Sequence, residues 1–163
     1  MSKITYMLIF LVSLLSAENI KIDFKETRYI DALNEKVTRN GQISFSNESA
    51  KIFYESGNRE ITLINGQVTI KNDKEIVQKN AKEEQGIINM FAIFRAIFES
   101  DEERLKMFFK ITQKSQNEVS LRAINSSNPI ATLTYKINEG NITKLELFSQ
   151  SGDRITIDVV KKR

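Results

Sequence analysis

The chain contains no cysteine, no histidine and no tryptophan. That inventory removes thiol nucleophiles, imidazole bases, zinc sites built on nitrogen or sulfur, and histidine-ligated haem. It also removes disulfides, so burial and backbone pairing must hold the fold. Net charge is scarce too: 24 basic residues face 21 acidic ones, for a formal +3. A strong polyanion binder carries a larger excess, or a basic stripe interleaved with aromatics. Here the only basic cluster is Lys161-Lys162-Arg163, which reads as a solvated terminus, and no nucleic acid is expected as partner. There is no Gly-x-Ser-x-Gly elbow and no phosphate-binding glycine loop. The carboxylate groups at Glu83-Glu84 and Asp101 to Glu103 sit at expected helix starts, where acids favour the helix dipole. No catalytic residue, cofactor or metal site is assigned, and the chain is not read as an enzyme.

A long apolar run is missing as well. The longest, Tyr6 to Leu15, has about ten residues and is too short to span a bilayer comfortably. It follows the basic Lys3 and precedes the small pair Ser16-Ala17, the pattern of an export signal cleaved after Ala17, with a retained N-terminal anchor as the alternative. No cysteine follows that run, which excludes a lipid-modified N-terminus. Residues 1–17 are therefore expected to be a signal peptide directing the chain to export. Removing these seventeen from 163 leaves 146 residues, suited to one domain over 18–163 with one core.

Glycine is sparse, six in all, and its placement is informative. Five sit in turn-forming contexts: Asn40-Gly41, Ser56-Gly57-Asn58, Asn65-Gly66, Glu139-Gly140-Asn141 and Ser151-Gly152-Asp153. Each lies between apolar alternations, the grammar of β-hairpins. Strands are expected near 20–29, 42–46, 51–55, 59–64, 67–71 and 75–79, then near 108–113, 118–123, 131–137, 142–148 and 154–160. On alternation, Ile43, Phe45, Ile61, Leu63, Leu133, Tyr135, Leu145 and Leu147 belong to inward faces.

Between the two groups the period changes. From Glu83 to Glu99, the residues Ile87, Met90, Phe91, Phe94, Ile97 and Phe98 recur at helical spacing, and Ile88 and Ile93 widen the apolar arc to roughly 220°. Arg95 lies within that arc, as a snorkelling side chain or a polar contact at a cavity mouth. Ser100-Asp101-Glu102-Glu103 offers a capping-box start for a second, shorter helix containing Leu105. An antiparallel sheet of about eleven short strands accumulates twist and curls. The expected fold is mainly β with a helical lid: a strongly curved antiparallel sheet forming an incomplete half-barrel, with the 83–99 helix on its concave side.

The pattern resembles the LolA-like family, the periplasmic carriers of outer-membrane lipoproteins. Three stretches bear the resemblance. The first runs from Phe24-Lys25-Glu26-Thr27-Arg28-Tyr29-Ile30-Asp31-Ala32-Leu33 to Asn40-Gly41-Gln42-Ile43-Ser44-Phe45, similar to the family's opening strand pair. The others are Ile130-Ala131-Thr132-Leu133-Thr134-Tyr135 with Asn141-Ile142-Thr143-Lys144-Leu145-Glu146-Leu147, and Gln150-Ser151-Gly152-Asp153-Arg154-Ile155-Thr156-Ile157, similar to its closing hairpins. The family's arginine–proline pair and following tryptophan are missing. Phe53 stands nearest the tryptophan position, and a one-residue slip to Tyr54 would reverse which side faces inward.

The resemblance implies a monomeric chaperone that shelters lipoprotein acyl chains in an apolar cavity. It would receive them from an inner-membrane lipoprotein release complex and pass them to an outer-membrane lipoprotein acceptor. Lipid contact would fall to Ile87, Met90, Phe91, Phe94, Ile97 and Phe98 on the lid helix, and to Ile43, Phe45, Phe53, Ile61, Leu63, Leu133 and Tyr135 on the sheet. Two alternatives share the fold: an accessory factor carrying another lipid or glycolipid, and a periplasmic sensor.

Overall fold

The computed structural model describes residues 19–163, so the expected signal peptide lies outside the described residues. Eleven strands form one antiparallel sheet that does not close: β1 (Ile20–Ile30), β2 (Glu35–Phe45), β3 (Ser49–Tyr54), β4 (Arg59–Ile64), β5 (Gln67–Lys71), β6 (Ile76–Asn80), β7 (Phe109–Lys114), β8 (Glu118–Ala123), β9 (Ile130–Asn138), β10 (Asn141–Ser149) and β11 (Arg154–Lys162). The spatial order is β6-β5-β4-β3-β2-β1-β11-β10-β9-β8-β7. Two meanders are thus joined back to back through β1 and β11, with β6 and β7 as the edges of the sheet among the described residues. The chain between those edges must cross from one to the other, and it does so as helices α1 (Gln85–Phe98) and α2 (Glu102–Leu105). This connectivity gives the half-barrel its helical cover.

The core follows from two-residue periodicity. Ile22, Ile43, Ile52 and Ile61 lie opposite one another across β1 to β4, and Ile155, Leu147, Leu133 and Leu121 across β11 to β8. Most of these are buried, and α1 adds Phe91, Ile93, Phe94, Ala96, Ile97 and Phe98 to the same cluster. Burying a side chain of this size contributes roughly 1.5–3 kcal/mol. With no disulfide among the described residues, that continuous apolar layer is the main source of stability.

Two local expectations are overturned. Asn40-Gly41 is not a turn: Gly41 lies inside β2, paired with Phe24 on one side and Tyr54 on the other. The turn comes earlier, as a 3-10 segment over Asp31–Leu33 closed by Asn34 in the left-handed region. Gly41 is there for space. A Cβ at this position would lie 2.5 Å from the Phe53 carbonyl oxygen and 2.7 Å from Cζ of Phe24. The other correction concerns Ser100, which ends α1 and does not begin α2. Its φ is +57°, its N–H donates to the Ile97 carbonyl, and the Asp101 N–H reaches back to Ala96. This is the helix-closing pattern usually built on glycine. Asp101 then caps α2, its carboxylate accepting the Arg104 N–H at 3.0 Å.

Candidate functional site

The concave face is graded along the strands. In β1 the inward positions run Ile20, Ile22, Phe24, Glu26, Arg28, and in β2 they run Phe45, Ile43, Gly41, Arg39. Ala50, Ile52 and Tyr54 continue these rows in β3, and Leu63, Ile61 and Arg59 in β4. One end of the hollow is therefore fully apolar and the other charged. Where the rows change character, a cavity of about 400 Å³ opens between sheet and helix. Ile43, Ile52, Ile61, Phe24 and Tyr54 form its floor, while Ile87, Met90 and Phe94 of α1 form its roof. Leu147, Ile155, Ile157, Pro129 and Ile130 wall the far side, and Glu26, Arg28, Arg39, Arg59 and Glu84 stand at the rim. The size falls within the roughly 300–1,000 Å³ range of small-molecule pockets.

The rim is organised around Tyr54. Its ring meets Phe24 edge to face at 5.8 Å between centroids, the arrangement aromatic quadrupoles favour. Its hydroxyl donates to Glu26 Oε2 at 2.8 Å, and the Arg39 guanidinium lies 5.7 Å from the ring centroid. Burial, and then the neighbouring Glu26 carboxylate, push the Tyr54 hydroxyl well above the ordinary phenol range. Tyr54 therefore stays a neutral donor. Arg28 reaches away from the hollow to Asp153, Nη2 to Oδ2 at 2.6 Å. That hydrogen bond, supported by the Asp31 N–H, holds the Asp153 carboxyl below the usual carboxylate range.

Helix α1 is secured unevenly. Arg95 donates to the carbonyls of Ser46 and Ser49 in the β2–β3 turn, the latter at 3.2 Å, and lies over the Phe45 ring at 5.1 Å. Lys162 at the end of β11 donates to the Phe98 carbonyl at 3.1 Å. Both tethers hold the C-terminal half. The N-terminal half has only a solvent-exposed ion pair from Lys79 of β6 to its N-cap residue Glu84, which makes no side-chain cap, then a glycine at position 86 and half-buried Ile87, Ile88 and Met90.

The expected lipid-contact set is divided by this geometry. Ile87, Met90, Phe94, Ile43 and Ile61 line the 400 Å³ cavity. Phe91 and Leu63 instead line a smaller one of about 270 Å³ on the other flank of α1, together with Ile88 and Arg95. Phe45 is buried beneath Arg95, while Ile97, Phe98, Leu133 and Tyr135 belong to the packed core. Phe53 is a correction: Gly41 pairs with Tyr54, so Tyr54 faces the hollow and Phe53 lies on the opposite face, beside Asn40 and Gln42. Arg39, Arg59, Glu26 and Arg28 were not singled out from the sequence. The signal that finds them is parity, since Ile20, Ile22 and Phe24 continue in step into Glu26 and Arg28.

Fold and site together define a helix-roofed β half-barrel with an apolar, charge-rimmed hollow. No family model matches the sequence, and no curated protein matches it. Among solved structures the chain is similar to a LolA superfamily protein of Nitrosomonas europaea, 11% identical over 90% of this chain and 86% of that one, with a TM-score of 0.41. An outer-membrane lipoprotein-sorting protein domain of Vibrio parahaemolyticus is 5% identical over 89% and 84%, with a TM-score of 0.42. Lipoprotein LppX of Mycobacterium tuberculosis is 10% identical over 87% and 85%, with a TM-score of 0.47. The resemblance read from the sequence is to this same group.

Proposed function

We propose that the protein is a non-enzymatic lipid carrier of the periplasm, which holds the acyl chains of lipoproteins beneath the N-terminal half of α1 and conveys them from the inner to the outer membrane. The observation that supports this most is the 400 Å³ hollow, apolar on its floor and roof and covered by the less secured half of a helix. Each buried methylene is worth about 0.8 kcal/mol, so a sixteen-carbon chain left in water costs on the order of 10 kcal/mol. A carrier has to hide that surface and still release it without chemical energy. A roof of Ile87 and Met90 suits both needs, since methionine repacks readily around different shapes. An inner-membrane release complex would supply the cargo and an outer-membrane acceptor would take it.

Depletion of the protein in its native cell is expected to leave outer-membrane lipoproteins at the inner membrane. Normal sorting of lipoproteins, with a glycolipid mislocalised instead, would contradict the lipoprotein assignment. Met90→Asp places a charge on the half-buried roof and is expected to abolish capture of acylated cargo while the fold is retained. Unchanged capture by a folded Met90→Asp protein would put the site elsewhere.

A further inference from the structure

We infer that the rim of this cavity selects cargo with a negatively charged group at the head of its acyl chain, and that Arg39 and Arg59 hold that group. The inference rests on the hollow being a lipid site and adds the chemistry of the headgroup. It starts from the accounting of charge at the rim. Arg28 is engaged with Asp153, and Glu84 with Lys79 at 2.5 Å. Arg39 and Arg59 form no ion pair among the described residues, although both line the cavity.

The remaining acid at the rim, Glu26, accepts the Tyr54 hydroxyl, so two guanidinium groups face one engaged carboxylate. The sheet register puts Arg59 directly opposite Tyr54 and Arg39 opposite Glu26, on the face whose deeper rows are Ile22, Ile43, Ile52 and Ile61. A hollow apolar at depth and cationic at its lip matches an amphiphile of the same polarity. Guanidinium groups present paired donors suited to phosphate or carboxylate oxygens. Arg39 is half-buried beside the apolar cavity, so its charge is less screened than on an open surface, while Arg59 stands at the exposed lip.

The test compares twelve-carbon probes that differ only at the head, measured by calorimetry on the whole protein: dodecyl phosphate, the uncharged monododecanoyl glycerol, and dodecyltrimethylammonium. Dodecyl phosphate is expected to bind about tenfold more tightly than the uncharged probe, the scale of one charge-assisted hydrogen bond. The cationic probe should bind weakest, and the preference should shrink as salt is raised. Arg39→Gln with Arg59→Gln should erase the difference between the charged and uncharged probes, and the corresponding lysine pair should retain most of it.

A diacylated lipopeptide with aspartate beside its lipidated cysteine, set against its serine counterpart, identifies the source of the anion. Preference for the aspartate form assigns it to a lipoprotein. Equal binding of the two lipopeptides, with the dodecyl phosphate preference intact, assigns it to a lipid headgroup. Equal affinity for charged and uncharged probes would overturn the headgroup inference and leave the lipid site standing. Binding of none of the probes would overturn the lipid site itself.

Discussion

The two halves of α1 are made of similar residues and do different work. From Phe91 to Phe98 the helix is a plug: Ile93, Ile97 and Phe98 are sunk in the sheet's concave face, and Arg95 and Lys162 tether it to strands on both sides. From Gln85 to Met90 it is a lip, exposed at Gln85 and Gly86, half-buried from Ile87 onward and without a side-chain cap, with the cavity beneath it. Apolar residues on a helix mark a surface that avoids water, and they do not say whether the opposing surface is protein or a space for something else. Opening is therefore expected at the lip, since local opening starts where buried contacts are fewest.

The sharpest break in this comparison is a matched pair of truncations. Ile97, with 1% of its surface exposed, should cost about 2–5 kcal/mol as Ile97→Ala, the range for creating a cavity in a packed core. Ile87→Ala, on the lip, should cost under about 1 kcal/mol. Urea denaturation of both variants reads the difference directly.

Next in size is the Arg95 tether. Arg95→Met keeps much of the apolar stem and removes two bonds to carbonyls, and a loss of about 1.5–3 kcal/mol is expected for hydrogen bonds from a charged donor. Amide exchange should quicken over residues 91–98 more than over 85–90, because the tether belongs to the plug. The reverse order would mean that Arg95 secures the lip.

Gly86→Ala should act in the opposite sense. A Cβ at this position meets nothing within 4 Å, and replacing a helical glycine is worth at most about 0.5–1 kcal/mol in favour of the helix, the full amount applying to interior positions and less to the first turn where Gly86 sits. Stability should rise by up to that amount while the rate of lipid uptake falls, as followed by stopped-flow fluorescence of a labelled acyl chain. Faster uptake would argue against a lip that opens by local unwinding.

The smallest effect belongs to the rim. Because Arg28 lowers the Asp153 carboxyl in the folded protein, the unfolded chain binds that proton more readily. The stabilisation is complete above the unfolded value of about 3.9 and disappears as pH falls through the lowered folded value. Asp153→Asn should therefore flatten the acid limb of the stability curve and leave its slope near neutrality unchanged. Thermal melts between pH 2 and 7 test this.

Much of the sheet was legible in the sequence because turn residues and alternation agree locally. β4, β5 and β8 fall at the expected bounds, and α1 at Gln85–Phe98 sits within the expected 83–99. The first half of β2 was not legible: Glu35, Lys36, Thr38, Arg39 and Asn40 show no apolar rhythm, and pairing with β1 alone makes that stretch a strand. Phe53 and Tyr54 are adjacent aromatics, so only the register of Gly41 decides which one faces in. The division of α1 was hidden for another reason. Ile87 and Ile97 are chemically identical, and what separates them is that Ile87 lies over the cavity while Ile97 is packed in the core.

The central claim is that the space beneath the lip takes an acyl chain, and the methyl resonance of Met90 reports on it most directly. Met90 lines the cavity, whereas Met107 is 69% exposed and distant in role, so it serves as the internal control. With methyl-labelled methionine and added dodecyl phosphate or diacylated lipopeptide, the Met90 signal should shift saturably while Met107 stays in place. A Met90 resonance unmoved at saturating lipid would contradict the account.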